Sequence, residues 1–219
     1  MNITRRGFIA GLSIAAFLAG VPARAQDLSV SPQGQALVRV LDGMGVESKW
    51  IAGAHVDWQT GLPDGAPERM PGRHTHCSAF VASAAQQLGV YILRPPEHGQ
   101  VLLANAQNEW LAEEGRSAGW RQLRGPVEAQ EAANRGWLVV ASYHNHRDDK
   151  PGHIAIVRPA AKRVADVAES GPDVTQAGTV NSTSINIRDG FAGHVSAWRD
   201  GEIDYYAHPV RLAGSRAGT

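Results

Sequence analysis

Cysteine is almost missing from this sequence, since Cys77 is the only one among 219 residues. A single cysteine excludes a disulfide within the chain, so the fold cannot rest on a disulfide framework. An excess of one charge is also missing, because 21 lysines and arginines face 21 aspartates and glutamates. This balance argues against nucleic acid or an anionic membrane surface as a partner.

Long apolar runs are missing after residue 25, so we expect no integral membrane segment after signal cleavage. Residues 1–25 are interpreted as a secretory signal peptide. Arg5 and Arg6 precede an apolar run from Phe8 to Ala19, and Ala23-Arg24-Ala25 supplies a cleavage site of small residues. The paired arginines also fit a twin-arginine signal, so the Sec and twin-arginine routes both stay open. The mature protein is expected to be periplasmic or secreted.

The remaining residues, 26–219, are predicted to form a single domain of the α+β class, because no repeat, low-complexity tract or linker divides them. Apolar residues at helical spacing predict helices at 31–43, 78–88, 100–115 and 126–134. β-rich runs predict strands at 137–143, 153–159, 173–178 and 202–208. Ser31 is expected to cap the first helix and Gly43 to end it. Helices followed by strands favour N-terminal helices packed on a small antiparallel sheet.

Cys77 lies in the stretch RHTHCSAFVASAAQQLG, residues 73–89, in which the predicted helix begins at Ser78. The N-terminus of a helix has unpaired backbone N–H groups and the positive end of the helix dipole, and both favour a thiolate. The same N–H groups can receive the oxyanion that forms when a thiolate attacks a carbonyl. We therefore predict that Cys77 is a nucleophile. The alternative is an inert buried cysteine.

The best candidate for the base is His153 in DDKPGHIAIVRP, which follows a Pro-Gly turn and opens an apolar strand. A histidine at the mouth of a strand is firmly anchored and still accessible. Its second ring nitrogen needs an acceptor that fixes the tautomer. Gln176, on the next predicted strand, and Asn181 both offer a side-chain carbonyl for this role. His194, in NIRDGFAGH, is interpreted as a surface or packing residue.

The motifs THCSAFV and GHIAIV, followed by a strand with a polar residue, resemble the papain-like cysteine amidases and peptidases of the bacterial cell wall, the NlpC-type and CHAP-type families. The resemblance implies a papain-like fold with the catalytic cysteine at a helix N-terminus. It assigns Cys77 as nucleophile, His153 as base and Gln176 as the group that orients the base. It also implies hydrolysis of amide bonds through an acyl-enzyme, often in peptidoglycan stem peptides. Neither a metal nor an organic cofactor is required, and the implied partner is a peptidoglycan or peptide substrate.

Two positions depart from the pattern of these families. His76 precedes the cysteine, where an aspartate or a similar small polar residue is usual. The upstream tyrosine that helps to bind the oxyanion is missing, and the segment HVDWQTG offers only Trp58. The second oxyanion donor therefore stays unassigned.

Two other functions fit parts of the sequence. A metal-binding protein could use imidazole and thiolate ligands of the kind that hold zinc or copper. The candidate ligands are His74, His76, Cys77, His144 and His146. A papain-like module without catalysis could instead bind cell-wall peptides or a partner protein through aromatic side chains. The candidates for that groove are Trp58, Trp110, Trp120 and Tyr143.

Overall fold

The computed structural model describes residues 27–67 and 74–212, and the expected signal peptide at 1–25 lies outside the described residues. The described residues form a mixed α and β fold with antiparallel sheets, which confirms the α+β class. The helices are α1 Pro32–Met44, α2 Cys77–Gln87, α3 Leu103–Glu113, α4 Pro126–Asn134, α5 Val164–Ser170, α6 Ile187–Gly190 and α7 Val195–Arg199. The strands are β1 Asp27–Leu28, β2 Arg121–Leu123, β3 Leu138–Tyr143, β4 His153–Val157, β5 Lys162–Arg163, β6 Asp173–Gln176, β7 Ser182–Asn186 and β8 Asp204–His208.

The main sheet is antiparallel and has the strand order β2-β8-β3-β4-β6-β7. Its central strands, β3 and β4, are buried along their whole length, so both faces of the sheet are covered. Side chains alternate between the two faces of a strand. Ile154 and Ile156 of β4 therefore join one hydrophobic core, whereas Ala155 and Val157 join the other.

Helices pack on both faces of this sheet. α1, α2 and α3 contribute to the core on one face, as the sequence predicts for the N-terminal helices. α4, α6 and α7 contribute to the core on the opposite face. α2 packs against β4 and is buried from Cys77 to Ala85, because its many alanine and serine side chains allow a close approach. Among the described residues, no helix has both the length and the apolar character that crossing a membrane requires.

The first helix differs from the prediction at its C-terminal end. Ser31 caps it as predicted, since its hydroxyl accepts a hydrogen bond from Gly34 N at 3.0 Å. Gly43 does not end the helix, because the helix continues to Met44, whose side chain is buried. Gly45 ends it instead, in the left-handed conformation at φ 67° that favours glycine.

Several short elements have no counterpart in the sequence prediction, among them β2, β7, α5 and α7. β7 is an edge strand with the sequence STSIN, which lacks the apolar alternation that marks a strand. α5 and α7 have 7 and 5 residues and are too short to show a helical period. Elements of this length are stabilised by tertiary contacts rather than by their own sequence.

Candidate active site

Cys77 is the first residue of α2, and only 4% of its surface is exposed. The backbone N–H groups of Ile154, Ser78 and Cys77 and the side chain of Thr75 lie near its sulfur and act to lower the pKa of the thiol. Two of these N–H groups belong to the helix N-terminus, and the third belongs to β4. The sulfur therefore lies where α2 meets the start of β4.

Burial raises the pKa of the Cys77 thiol, and the hydrogen bonds to the sulfur offset this only in part. The N–H groups of Ser78 and Cys77 at the helix N-terminus lower the pKa of the thiol, in the direction that the sequence analysis expects. Burial is the larger effect, because removing a charged sulfur from water costs more free energy than these N–H groups supply, so the pKa is raised on balance. In the free protein, Cys77 is a buried neutral thiol.

His153 is the first residue of β4, and its ring is held by Gln176, the last residue of β6. Gln176 Nε2 donates to the carbonyl of Val180 at 3.1 Å, which fixes the orientation of the amide. Gln176 Oε1 therefore faces His153 Nε2, which donates to it at 3.0 Å. In this tautomer Nε2 carries the hydrogen, and Nδ1 is the basic nitrogen.

Asn181, the alternative acceptor, is occupied elsewhere. Its Nδ2 donates to the carbonyls of Val46 and Lys49, both at 2.8 Å. Its Oδ1 accepts from Gly178 N at 3.1 Å. Asn181 therefore ties the loop after β6 to the segment after α1, and Gln176 is the side chain that contacts the imidazole.

Cys77 and His153 both lie where α2 meets the start of β4. Among the residues that the structure describes, the side chains of these two share no hydrogen bond. The sulfur meets β4 at Ile154, which belongs to the core on the α2 face. Because side chains alternate along a strand, the His153 ring lies on the other face, where it contacts Phe191. The expected sharing of a proton between sulfur and imidazole is therefore not formed in the free protein. Catalytic hydrogen bonds are often long or misaligned until substrate is bound.

Two rings that the sequence analysis did not connect with the site lie against His153. Phe191 contacts the imidazole edge-on, with ring centroids 4.6 Å apart, and His194 is stacked on it at 5.9 Å. Burial lowers the pKa of His153, although the hydrogen bond to Gln176 opposes this. Burial, and then the proximity of His153, lowers the pKa of His194 to about 4. No local pattern marks His194, since its position depends on how the chain returns to the sheet.

The turn that leads into His153 is anchored by Asn105, a buried residue of α3. Asn105 Oδ1 accepts from Gly152 N at 2.7 Å, and its Nδ2 donates to the Lys150 carbonyl at 2.9 Å. Gly152 is required here, because a Cβ atom would lie 2.1 Å from the Tyr143 carbonyl oxygen. Asn105 and Gly152 together set the position from which the His153 side chain emerges.

The loop before Cys77 is tied to α2 at two positions, the N-cap residue His76 and Ser83. His76 Nε2 donates to the Ala54 carbonyl at 2.8 Å, which gives a structural role to the residue directly before Cys77. Ser83 Oγ donates to the Gln59 carbonyl at 2.6 Å. The described part of this loop therefore borders the candidate site.

The four aromatic residues proposed for a binding groove do not share one surface. Trp120 and Tyr143 are buried, at 3% and 4% exposed, and so cannot line an open groove. Trp58 and Trp110 are half-buried. Arg94 lies over the Trp58 ring at 5.8 Å from its centroid. The non-catalytic groove of the sequence analysis is therefore wrong for Trp120 and Tyr143.

The five residues of the alternative metal site do not form a ligand cluster. Within residues 27–67 and 74–212, no group of three or more histidine, cysteine, aspartate or glutamate side chains could hold a metal ion. His144 contacts Glu109 and His146 contacts Glu202, each at 2.8 Å. These two histidines therefore point to different acidic partners.

No protein-family model matches the chain, and no curated protein matches it in sequence.

Proposed function

We propose that this protein is an exported cysteine hydrolase with a papain-like fold that cleaves amide bonds. Cys77 is the proposed nucleophile, His153 the base and Gln176 the residue that orients the base. The observation that carries the proposal is the tautomer of His153, in which Nδ1 is basic. That imidazole belongs to the residue directly before Ile154, whose N–H contacts the Cys77 sulfur. Peptidoglycan stem peptides are the proposed substrate class, on the strength of the resemblance to papain-like cell-wall enzymes.

The Cys77 thiol and the His153 imidazole are both uncharged before the reaction. The thiol proton therefore has to move to the imidazole while the sulfur forms its bond to the substrate carbonyl carbon. Cys77 Sγ attacks the substrate carbonyl as His153 Nδ1 accepts the thiol proton. The backbone N–H groups at the start of α2 are the proposed donors to the oxyanion. The imidazolium then protonates the leaving amine. Water, deprotonated by the same imidazole, hydrolyses the thioester, and the proton returns from the imidazolium to the Cys77 sulfur as the acid product leaves. Bound substrate has to bring the His153 ring and the sulfur into contact.

The assay is hydrolysis of purified peptidoglycan fragments, followed by chromatography and mass spectrometry of the products. Cys77→Ala should abolish turnover, and His153→Ala should lower kcat/KM by about 10³-fold or more, since the two groups act as a unit. Ser78→Ala is the matched control, because it removes a neighbouring hydroxyl and keeps both the thiol and the Ser78 N–H. We expect it to retain most of the wild-type activity.

Two results would contradict the proposal. Wild-type protein that binds fragments without cleaving them would favour the non-catalytic module. An inert wild type with stoichiometric zinc, lost in Cys77→Ala, would favour the metal-binding protein instead.

A further inference from the structure

The segment between α6 and α7, Phe191 to His194, covers the His153–Gln176 pair. Phe191 meets the His153 ring edge-on at an interplanar angle of 72°, and His194 stacks on it at 22°. Gly190, the last residue of α6 and directly before the segment, lies so close to Gln176 that an added Cβ would be 2.9 Å from Oε1. Gly190 and the segment after it therefore lie against both members of the hydrogen-bonded pair.

His194 is wedged between His153 and Tyr143. Tyr143 of β3 is directly opposite His153 of β4 in the sheet, so the two side chains share a face. The His194 ring lies 5.1 Å from the Tyr143 ring and 5.9 Å from the His153 ring. Tyr143 OH is in turn 3.4 Å from Ser196 Oγ in α7. The position of His194 is thus fixed by β3 and α7 as well as by the imidazole that it covers.

We infer that His194 is a positioning residue for the base: its ring covers the outer face of the His153 imidazole and excludes water from the His153–Gln176 hydrogen bond. The inference rests on the proposed function only in taking His153 as the base. The covering itself is a property of the free protein. His194 does not touch the reacting atoms, so it is not a catalytic residue.

The charge states of the surrounding groups agree with a covering role. With a pKa of about 4, His194 is uncharged at neutral pH and acts on His153 through desolvation rather than through charge. The other titratable group in contact with the ring pair is Tyr143 from β3. Beyond Tyr143 lies His146, 6.1 Å away, which pairs with Glu202.

The test is an NMR titration of the His153 ring in the full chain without substrate, with the resonance assigned by its loss in His153→Gln. His194→Asn removes the ring but keeps a side chain suited to the N-cap of α7, which His194 occupies. His194→Phe keeps an aromatic ring over His153. The matched control is His208→Asn, which removes a half-buried histidine that packs on Trp120. His208 pairs with Leu138 and thus lies at the other end of β3 from Tyr143.

We expect the titration midpoint of His153 to shift upward in His194→Asn and to stay at its wild-type value in His194→Phe and His208→Asn. In an active preparation, the acid limb of the kcat/KM profile should shift upward in the same variant. Equal midpoints in wild type and His194→Asn would overturn the inference. A wild-type midpoint at or above that of an ordinary histidine would also overturn it, even if the asparagine variant failed to fold. Both titration results are obtained without hydrolysis. A failure of the proposed function would therefore show only in the fragment assay, and a failure of this inference would show in the titration.

Discussion

The thiol of Cys77 and the imidazole of His153 are both buried, and burial drives both toward their neutral forms. For the proposed reaction, a neutral pair requires general-base catalysis, in which the proton leaves the sulfur during attack. This differs from a preformed thiolate–imidazolium pair, which would hold its charges before substrate arrives. The difference can be measured on the free protein.

Alkylation of Cys77 by iodoacetamide should be slow at neutral pH in the folded free protein and should accelerate as the pH rises above the range of an ordinary cysteine. The reason is that only the thiolate reacts, and burial raises its pKa. The measurement is the labelling rate from pH 6 to 10, with urea-unfolded protein as the control for intrinsic reactivity. Fast labelling of the folded protein at pH 6 to 7 would show a preformed thiolate.

Acid should destabilise the folded protein through its buried histidines. An unfolded chain protonates a histidine near pH 6.5, whereas His194 in the folded protein does so only near pH 4. Between these values the unfolded state binds more protons, so stability falls as the pH falls. His153, whose pKa is also lowered by burial, acts in the same direction.

Urea unfolding at pH 7 and pH 4.5 measures this loss. The loss should be smaller in His194→Phe, which cannot be protonated there, than in the matched control His208→Phe. An equal loss in the two variants would mean that His194 does not titrate with a lowered pKa.

At the level of secondary structure, each residue of the candidate site lies at the end of a helix or strand. Cys77 opens α2, His153 opens β4, and Gln176 closes β6. The turn before β4 is tightly constrained, because Gly152 is packed against backbone and Asn105 Oδ1 accepts a hydrogen bond from its N–H. A change in this turn should therefore act on the base directly.

Gly152→Ala should lower activity by at least about 10²-fold and cost on the order of 2–4 kcal/mol of stability, since the new Cβ must displace the Tyr143 carbonyl or Asn105. Gly43→Ala is the matched control, because Gly43 lies inside α1 and a Cβ there has no neighbour within 4 Å. It should stabilise the protein by roughly 0.5–1 kcal/mol and leave activity unchanged. The measurements are urea unfolding and the fragment assay. Equal effects of the two substitutions would show that the turn is not constrained as described.

Local patterns predicted the elements that carry long apolar stripes. Residues 126–134 form α4 with the predicted bounds, and the apolar run HIAIV forms the buried strand β4. The contact between Gln176 and His153 was one of two alternatives, because both acceptors follow the base at short distances in sequence. Only the structure distinguishes Gln176 from Asn181. Asn181 donates a hydrogen bond to the Val46 carbonyl, which lies far away in the chain, and the sequence does not show this contact.

The position of the Cys77 side chain relative to that of His153 could not be predicted from local sequence patterns. The alternation in HIAIV puts His153 and Ile154 on opposite faces, but the sequence does not say which face α2 covers. His194 was missed for a related reason. Its stacking on His153 arises from the path of the chain after β7, which no periodicity encodes.

Across the whole fold, the sheet separates two cores, and the candidate site lies where the cores meet at the end of β4. The proposed nucleophile belongs to one core, and the proposed base with its covering rings belongs to the other. The proposed reaction therefore depends on a contact that crosses the plane of the sheet, which substrate has to complete. The covalent intermediate of that reaction is thus the most informative species to look for.

Intact-protein mass spectrometry after rapid acid quench detects that intermediate directly. Wild-type protein mixed with a peptidoglycan stem peptide should gain the mass of the acyl fragment, and peptide mapping should locate it on Cys77. His153→Ala should accumulate no adduct on the same timescale. Cleavage of the peptide with no adduct on Cys77, and with turnover preserved in Cys77→Ala, would contradict the assignment of Cys77 as the nucleophile.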